Sequence, residues 1–511
     1  MHTLVVNLTR FGDLLQTQPV LSGLKAAGHR TSLVCLDTFQ GATALLRDLD
    51  AVVPLPGARF LALVDQGWPL AVAALRLWSE QCLRTHPDRI LNLTPTLSAR
   101  LLGQSLGHAG DGFGLDAFGF GQYSSPWAAF LQAASKHRGC SPFNLVDLFQ
   151  RVAGLSPGSF ALKRPDSEAL ARADALLGAD SDLVAFQLGA SQDYRRWPVD
   201  AFVRVGRVLW REVGLRPVLL GTGAEAHLGE AFGHGADYPF TNLIGRTNIP
   251  TLAAVLTRTR LLLTNDTGTM HLAAGLGVPV VAIFLATAQP FDTGPYQVGS
   301  ISLEPDIPCR PCTFGRQCPH GLACRERIDP EAVGAMIVAF ARSGQWTASS
   351  ELGARVWVAK RDGHGFMDLE DISPGGHGDR SSWIQEQRGI YRQFLDRSAV
   401  MGIPAPIWRP SPFKRSLRAD LERGLLLLTL VEEQARLLIR GAPESIRKKF
   451  LVNCQNFQDF LDASRGLGVL GPMWMYQSQE AARSMEGFVA LCGRYGALLT
   501  AFQNCLGMDV D

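Results

Sequence analysis

The 511-residue chain has no apolar run long enough to cross a bilayer. Its longest, near residues 276–286 and 425–431, fall short of the roughly 20 residues that a spanning helix needs. It lacks a charge excess: 49 Lys and Arg against 47 Asp and Glu leave a net +2. That gives no electrostatic case for a nucleic-acid partner. It lacks a basic, apolar leader. A strand pattern over 4–8 begins after three residues, so a cytoplasmic location is expected, with peripheral contact at the inner face of a membrane compatible with it. No tandem repeat occurs at solenoid periods. The first strand-to-helix turn, Leu8-Thr-Arg-Phe-Gly-Asp13, has no G-x-G-x-x-G, which argues against a dinucleotide oxidoreductase.

Ten cysteines are present. Cys35, Cys82, Cys140, Cys454, Cys492 and Cys505 are scattered and suit small buried side chains in a reducing compartment. Cys309, Cys312, Cys318 and Cys324 crowd one loop as C-x2-C-x5-C-x5-C. Four thiolates can wrap a tetrahedral zinc or iron, which would be structural because no coordination position stays open. Free thiols and facultative disulfides are the alternatives.

Apolar runs and amphipathic segments alternate from residue 4 to about 155. Strands are expected over 4–8, 31–36, 51–55 and 89–93, and helices over 14–27, 41–49 and 69–83. A second series of strands begins at 183–188 and continues through 217–221, 242–245, 261–265 and 280–284. A helix over 330–342 closes it. This alternation predicts two doubly wound α/β domains, 1–160 and 161–348, with a cleft at the carboxyl ends of their strands. Residues 156–182 read as last helices plus linker. Beyond 349 a hairpin around Asp362-Gly363 and a connector over 374–378 precede helices over 383–397, 417–440, 445–465 and 479–506. In the third of these Phe450, Leu451, Cys454, Phe457, Phe460 and Leu461 follow the helical spacing.

The segment Leu261-Leu-Leu-Thr-Asn-Asp-Thr-Gly-Thr-Met-His271 reads as a buried strand, a polar turn and a helix start. Asp266, Thr267 and Gly268 sit at the first exposed peptide units, where free N–H groups and the helix dipole favour a phosphate, and His271 lies one turn on. Gln187-Leu-Gly-Ala-Ser-Gln-Asp-Tyr-Arg-Arg-Trp-Pro198 offers Gly189 and Ser191 as donors and Arg195 and Arg196 as fixed positive charge; a solvated surface loop is the plainer alternative. In Leu220-Gly-Thr-Gly-Ala-Glu225, Glu225 suits a ribose contact or a helix start. In Thr9-Arg-Phe-Gly-Asp13, Asp13 is either a helix cap or, facing the expected cleft, a general base.

Together, Arg10-Phe-Gly-Asp13 and Asn265-Asp-Thr-Gly-Thr-Met-His271, with the Cys-rich loop, resemble the family-nine glycosyltransferases, the heptosyltransferases of lipopolysaccharide assembly. The resemblance runs from residue 4 to about 342. It implies a GT-B architecture and inverting, metal-independent transfer from an ADP-heptose donor. By position it makes Asp13 the general base, with Arg10 and Gly12 on the acceptor side. It places Gly189, Ser191, Arg195, Arg196, Glu225, Asp266, Thr267, Gly268 and His271 around the donor. The acceptor is expected to be a glycan or glycolipid, or a protein, and a non-catalytic nucleotide-sugar scaffold is the competing class. Residues 349–511 lie outside the usual family domain, and their role is open.

Overall fold

A computed structural model describes residues 1–107, 111–136, 141–178, 180–375, 378–401, 410–481 and 484–507. Cys140 and part of the connector over 374–378 lie outside these. Contacts divide the chain into two units. One comprises 1–122 with 144–376, the other 123–143 with 377–511.

The first unit holds two sheets. The six strands of the first are β1 (His2–Val6), β2 (Arg30–Leu36), β3 (Ala51–Leu55), β4 (Arg89–Asn92), β5 (Asp111–Leu115) and β6 (Gly121–Tyr123), in the order β3-β2-β1-β4-β5-β6. The strands from β3 to β5 pair in parallel. The second sheet runs β14-β13-β12-β11-β10-β7-β8-β9. Its strands are β7 (Leu183–Gln187), β8 (Arg216–Leu220), β9 (Thr241–Asn242), β10 (Leu262–Asn265), β11 (Val280–Ile283), β12 (Ile301–Pro305), β13 (Ala354–Arg361) and β14 (Met367–Asp371). The strands are almost continuously apolar because helices cover both faces: Leu183 to Phe186 and Val280 to Ile283 are fully buried.

In both sheets the chain order reverses beside the first strand. β1 lies between β2 and β4, and β7 between β8 and β10. The connections leave these strands in opposite directions and open a crevice at their carboxyl ends. The candidate loops after β1, β7 and β10 all start there.

Several expected boundaries move. The helix expected over 14–27 is two pieces, Phe11–Leu15 and Gln18–Ala26. Pro19 lacks the N–H that a continuous helix would need and instead opens the second piece. The segment expected as helix over 41–49 is a 3-10 turn over Asp37–Leu45. β12 was not foreseen. It takes the 354–371 hairpin, grouped by sequence with the tail, onto the second sheet: β12 pairs antiparallel with β13, and β13 with β14. Asp362 shapes that hairpin turn, its Oδ1 accepting from His364 N and Phe366 N.

The second unit is helical. Pro126–Lys136 joins Asp379–Leu395, Pro412–Ile439, Glu444–Ala463, Leu470–Ala481 and Met485–Cys505. Edge-to-face aromatic pairs fill its core, among them Phe130 with Tyr391, Trp383 with Phe502 and Trp474 with Tyr495. The helix expected over 479–506 divides in two, Leu470–Ala481 before Met485–Cys505. Phe450, Phe457, Phe460 and Leu461 are buried, but Leu451 is 59% exposed, one residue off their stripe.

Candidate active site

The crevice of the second sheet is braced by Asn265, the last residue of β10. Its Oδ1 accepts from Trp197 N at 2.9 Å, and its Nδ2 donates to the carbonyls of Leu188 and Gly189 at 3.0 and 3.1 Å. Thr269 Oγ1 donates to Gln187 Oε1 at 3.1 Å. One side chain and one hydroxyl thus lock the loop after β7 to the turn after β10. That turn leads into the helix Gly268–Leu276, which ends at Gly277 in the left-handed region. Thr267 is the N-cap, yet no side chain caps the first turn. Its leading N–H groups therefore point toward whatever anion enters the crevice.

Arg195 and Asp266 form an ion pair with side chains only 10% and 9% exposed. The guanidinium that the sequence offered as fixed positive charge is thus already held by a carboxylate of the same crevice. Arg195 Nε is buried without a partner among the described residues, so the fork has a donor in reserve. Arg196 pairs with Asp193 of its own loop, and Ser191 is exposed at the same loop. Glu225 closes a capping box, its Oε2 accepting from Thr222 N at 2.7 Å. Its carboxylate also lies against Gly189, where an added Cβ would overlap it. The helix-start reading of Glu225 holds, and the carboxylate still borders the crevice.

The loop after β1 meets this turn directly. A Cβ on Gly12 would come 2.7 Å from His271 Cδ2 and 3.1 Å from Gly268 Cα; one on Gly268 would strike the Phe11 ring. Two glycines thus permit a backbone approach that no other residue allows. Arg10 is the exposed N-cap of Phe11–Leu15, and half-buried Asp13 stands in its first turn. Gly12, Gly268 and His271 are therefore brought together, with Asp13 next to Gly12 in the chain.

Gln16 was missed from sequence. It is fully buried, and its Nε2 lies 2.6 and 2.7 Å from the two ring nitrogens of His271, while its Oε1 has no partner among the described residues. The sequence carried little signal for it, because Gln16 sits in the mixed run Asp13-Leu-Leu-Gln-Thr-Gln-Pro19 among other polar residues. His271 itself is buried. Burial pushes its pKa down to about 4, against the opposing pull of Asp266, so the imidazole is neutral near pH 7.

The Cys-rich loop follows β12 and is anchored by Arg310, which pairs with buried Glu304 at 3.2 Å. Burial raises the pKa of Cys312 and Cys324, and the neighbouring thiols add to the rise. Among the described residues, however, no group of three or more His, Cys, Asp or Glu is placed to hold a metal ion. As they stand, the four thiols do not fit the expected tetrahedral site. Arg100, beside the 94–98 turn, is a buried clamp on the carbonyls of Pro95, Gly114 and Gln122.

Residues 144–323 match the family model described as glycosyltransferase family 9 (heptosyltransferase). Lipopolysaccharide heptosyltransferase 1 of Pseudomonas aeruginosa is 31% identical over 163 residues. That alignment covers 31% of this chain and 41% of the relative, so the chain spans less than half the length of that curated protein. The ADP-heptose lipopolysaccharide heptosyltransferase II of E. coli shares the fold at TM-score 0.52 and 16% identity, over 67% of this chain and 99% of that one. The expected GT-B-like arrangement, two Rossmann-like α/β domains followed by a helical extension, is thereby met. The 144–323 segment is thus similar to glycosyltransferase family 9, the heptosyltransferases, and the fold around it is GT-B-like.

Proposed function

We propose that the chain is a glycosyltransferase that moves a heptose from an ADP-activated donor to an acceptor hydroxyl, with inversion at the anomeric carbon. The acceptor is read as a lipopolysaccharide-type or other surface glycan. The observation that carries this reading is the apposition of Gly12 to Gly268 and His271. It brings the backbone of the loop that carries Asp13 against an uncapped helix N-terminus.

Each group then has a task. The departing diphosphate gains negative charge as the anomeric bond breaks. The first N–H groups of Gly268–Leu276 and the Arg195 guanidinium meet that charge, and preorganised donors of this kind are each worth a few kcal/mol. Asp266 holds Arg195 in place until a phosphate competes for it, and then faces the sugar. Neutral His271 offers a ring N–H. Asp13 accepts the proton of the attacking hydroxyl on the side opposite the leaving group.

Contact with a membrane surface is part of the same reading. Among the described residues no helix is long and apolar enough to cross a bilayer. Yet the helices Gly57–Gln66 and Trp68–Leu83 expose Leu61, Val64, Trp68, Leu70, Val72 and Leu77, each at more than half of its accessible surface. Such a patch suits insertion at the headgroup boundary.

A thermal-shift panel of ADP, UDP, GDP and their sugars tests the donor. Stabilisation by ADP and ADP-heptose is expected, and a preference for UDP removes the heptose assignment. Co-sedimentation with anionic vesicles, with and without Trp68→Ser, tests the surface contact.

A further inference from the structure

The helical unit has a cavity of its own. It measures about 190 Å³ and is lined by Tyr123, Tyr476, Gln477, Glu480, Arg397 and Arg494, with small residues completing the wall. Drug-sized ligands occupy roughly 300–1,000 Å³, so this space suits about one ring.

Its chemistry is specific. Tyr123 and Tyr476 stack with centroids 4.9 Å apart, and both are half-buried. Among the described residues no carboxylate pairs with Arg397 or Arg494. Arg494 lies over the Phe394 ring at 4.9 Å and makes one long hydrogen bond, 3.5 Å, to Phe394 O. Burial, reinforced by the Arg397 charge, holds the Arg494 pKa below the usual guanidinium range. Two cations that disfavour each other therefore share a partly desolvated wall, a cost that an anion would offset. Gln477 Oε1 is buried without a partner among the described residues, an acceptor waiting for a donor. Exposed Glu480 adds a second acceptor. It penalises a bare anion and favours one carrying hydroxyls.

We propose that this cavity binds a single acidic sugar unit, its carboxylate or phosphate on Arg397 and Arg494, its hydroxyls on Gln477 and Glu480, and its ring edge on the tyrosines. Forked arginine donors match either anion. The proposal is independent of the site in the first unit.

The test uses the full chain and four probes: glucuronate, glucose 6-phosphate, glucose and inorganic phosphate, titrated by calorimetry or ligand-observed NMR. Saturable binding of glucuronate or glucose 6-phosphate is expected, at least tenfold tighter than glucose and inorganic phosphate. The better of the two identifies the anion. Arg397→Gln, an exposed position, should weaken it at least tenfold with unchanged circular dichroism. Tyr476→Leu should also weaken it, and Arg195→Gln, in the other unit, should not. No saturable binding of either acidic sugar overturns the proposal. So do equal binding of inorganic phosphate and an Arg397→Gln variant that binds as the parent does.

Discussion

The two sheets reverse chain order in the same way but fill the resulting crevices with different chemistry. After β1 the loop supplies an exposed Arg10, a glycine and a half-buried carboxylate on a helix of only five residues. After β7 and β10 the loops supply a buried ion pair, an asparagine that bonds three backbone groups and a nine-residue helix with an uncapped start. The second crevice is rigid and charge-balanced before any ligand arrives. The first is light and close to solvent. A donor diphosphate needs preorganised positive potential, whereas a hydroxyl acceptor needs one base and room to approach. The proposed division of labour accounts for the asymmetry.

The sharpest way to break this comparison is Asp13→Asn. Transfer should fall by roughly a hundred- to ten-thousand-fold, measured as product formed from ADP-heptose, while ADP affinity stays within a factor of two or so. Intact turnover with weakened ADP binding would move Asp13 to the donor side and erase the asymmetry.

The next largest effect tests the charge balance of the second crevice. Asp266→Leu leaves Arg195 buried and unpaired, which should cost about 3 kcal/mol or more in urea unfolding. Arg195→Met together with Asp266→Leu should recover most of that loss. A double variant as unstable as the single one would show that the pair is not the stabilising unit. The same double variant should lose donor-dependent stabilisation.

Gly12→Ala probes where the two loops touch. Its Cβ would meet His271 and the Gly268 backbone, whereas one on Gly103, also buried in a helix, meets nothing within 4 Å. Overpacking should cost about 1–3 kcal/mol at residue 12. Gly103→Ala should be neutral or stabilising by up to about 1 kcal/mol. Equal effects would mean that the loops separate freely.

Much of this was legible in the chain itself. Period and flanking turns located nine strands to within a few residues, because buried parallel strands are written as short apolar runs. The switch-point loops were legible because glycine, threonine and acidic residues after such a run have few other uses. What escaped depends on tertiary partners. The capture of Arg195 by Asp266 joins residues 71 positions apart. The docking of Gln16 on His271 joins residues 255 apart. β12 was hidden by Glu304, a buried charge in the strand that Arg310 and the Trp357 indole N–H help to satisfy. The membership of the 354–371 hairpin in the second sheet was equally invisible, since a hairpin's own pattern does not name its neighbour.

The smallest effect concerns His271, the residue through which the second crevice leans on the first. In the folded chain its pKa lies near 4, below the ordinary value of 6.5. The unfolded chain therefore binds a proton that the native state refuses, and stability is present in full above about pH 6.5 and drains away as pH falls toward 4. Between pH 7 and pH 5 the loss from this group should be about 2 kcal/mol. His271→Gln, which cannot titrate, should show a flatter urea-midpoint profile over that interval. Bound ADP should work in the opposite sense, because a diphosphate beside the ring favours the protonated form and raises its pKa. The acid sensitivity of the free protein should therefore shrink in the presence of nucleotide. A profile unchanged by ADP would place the diphosphate away from His271.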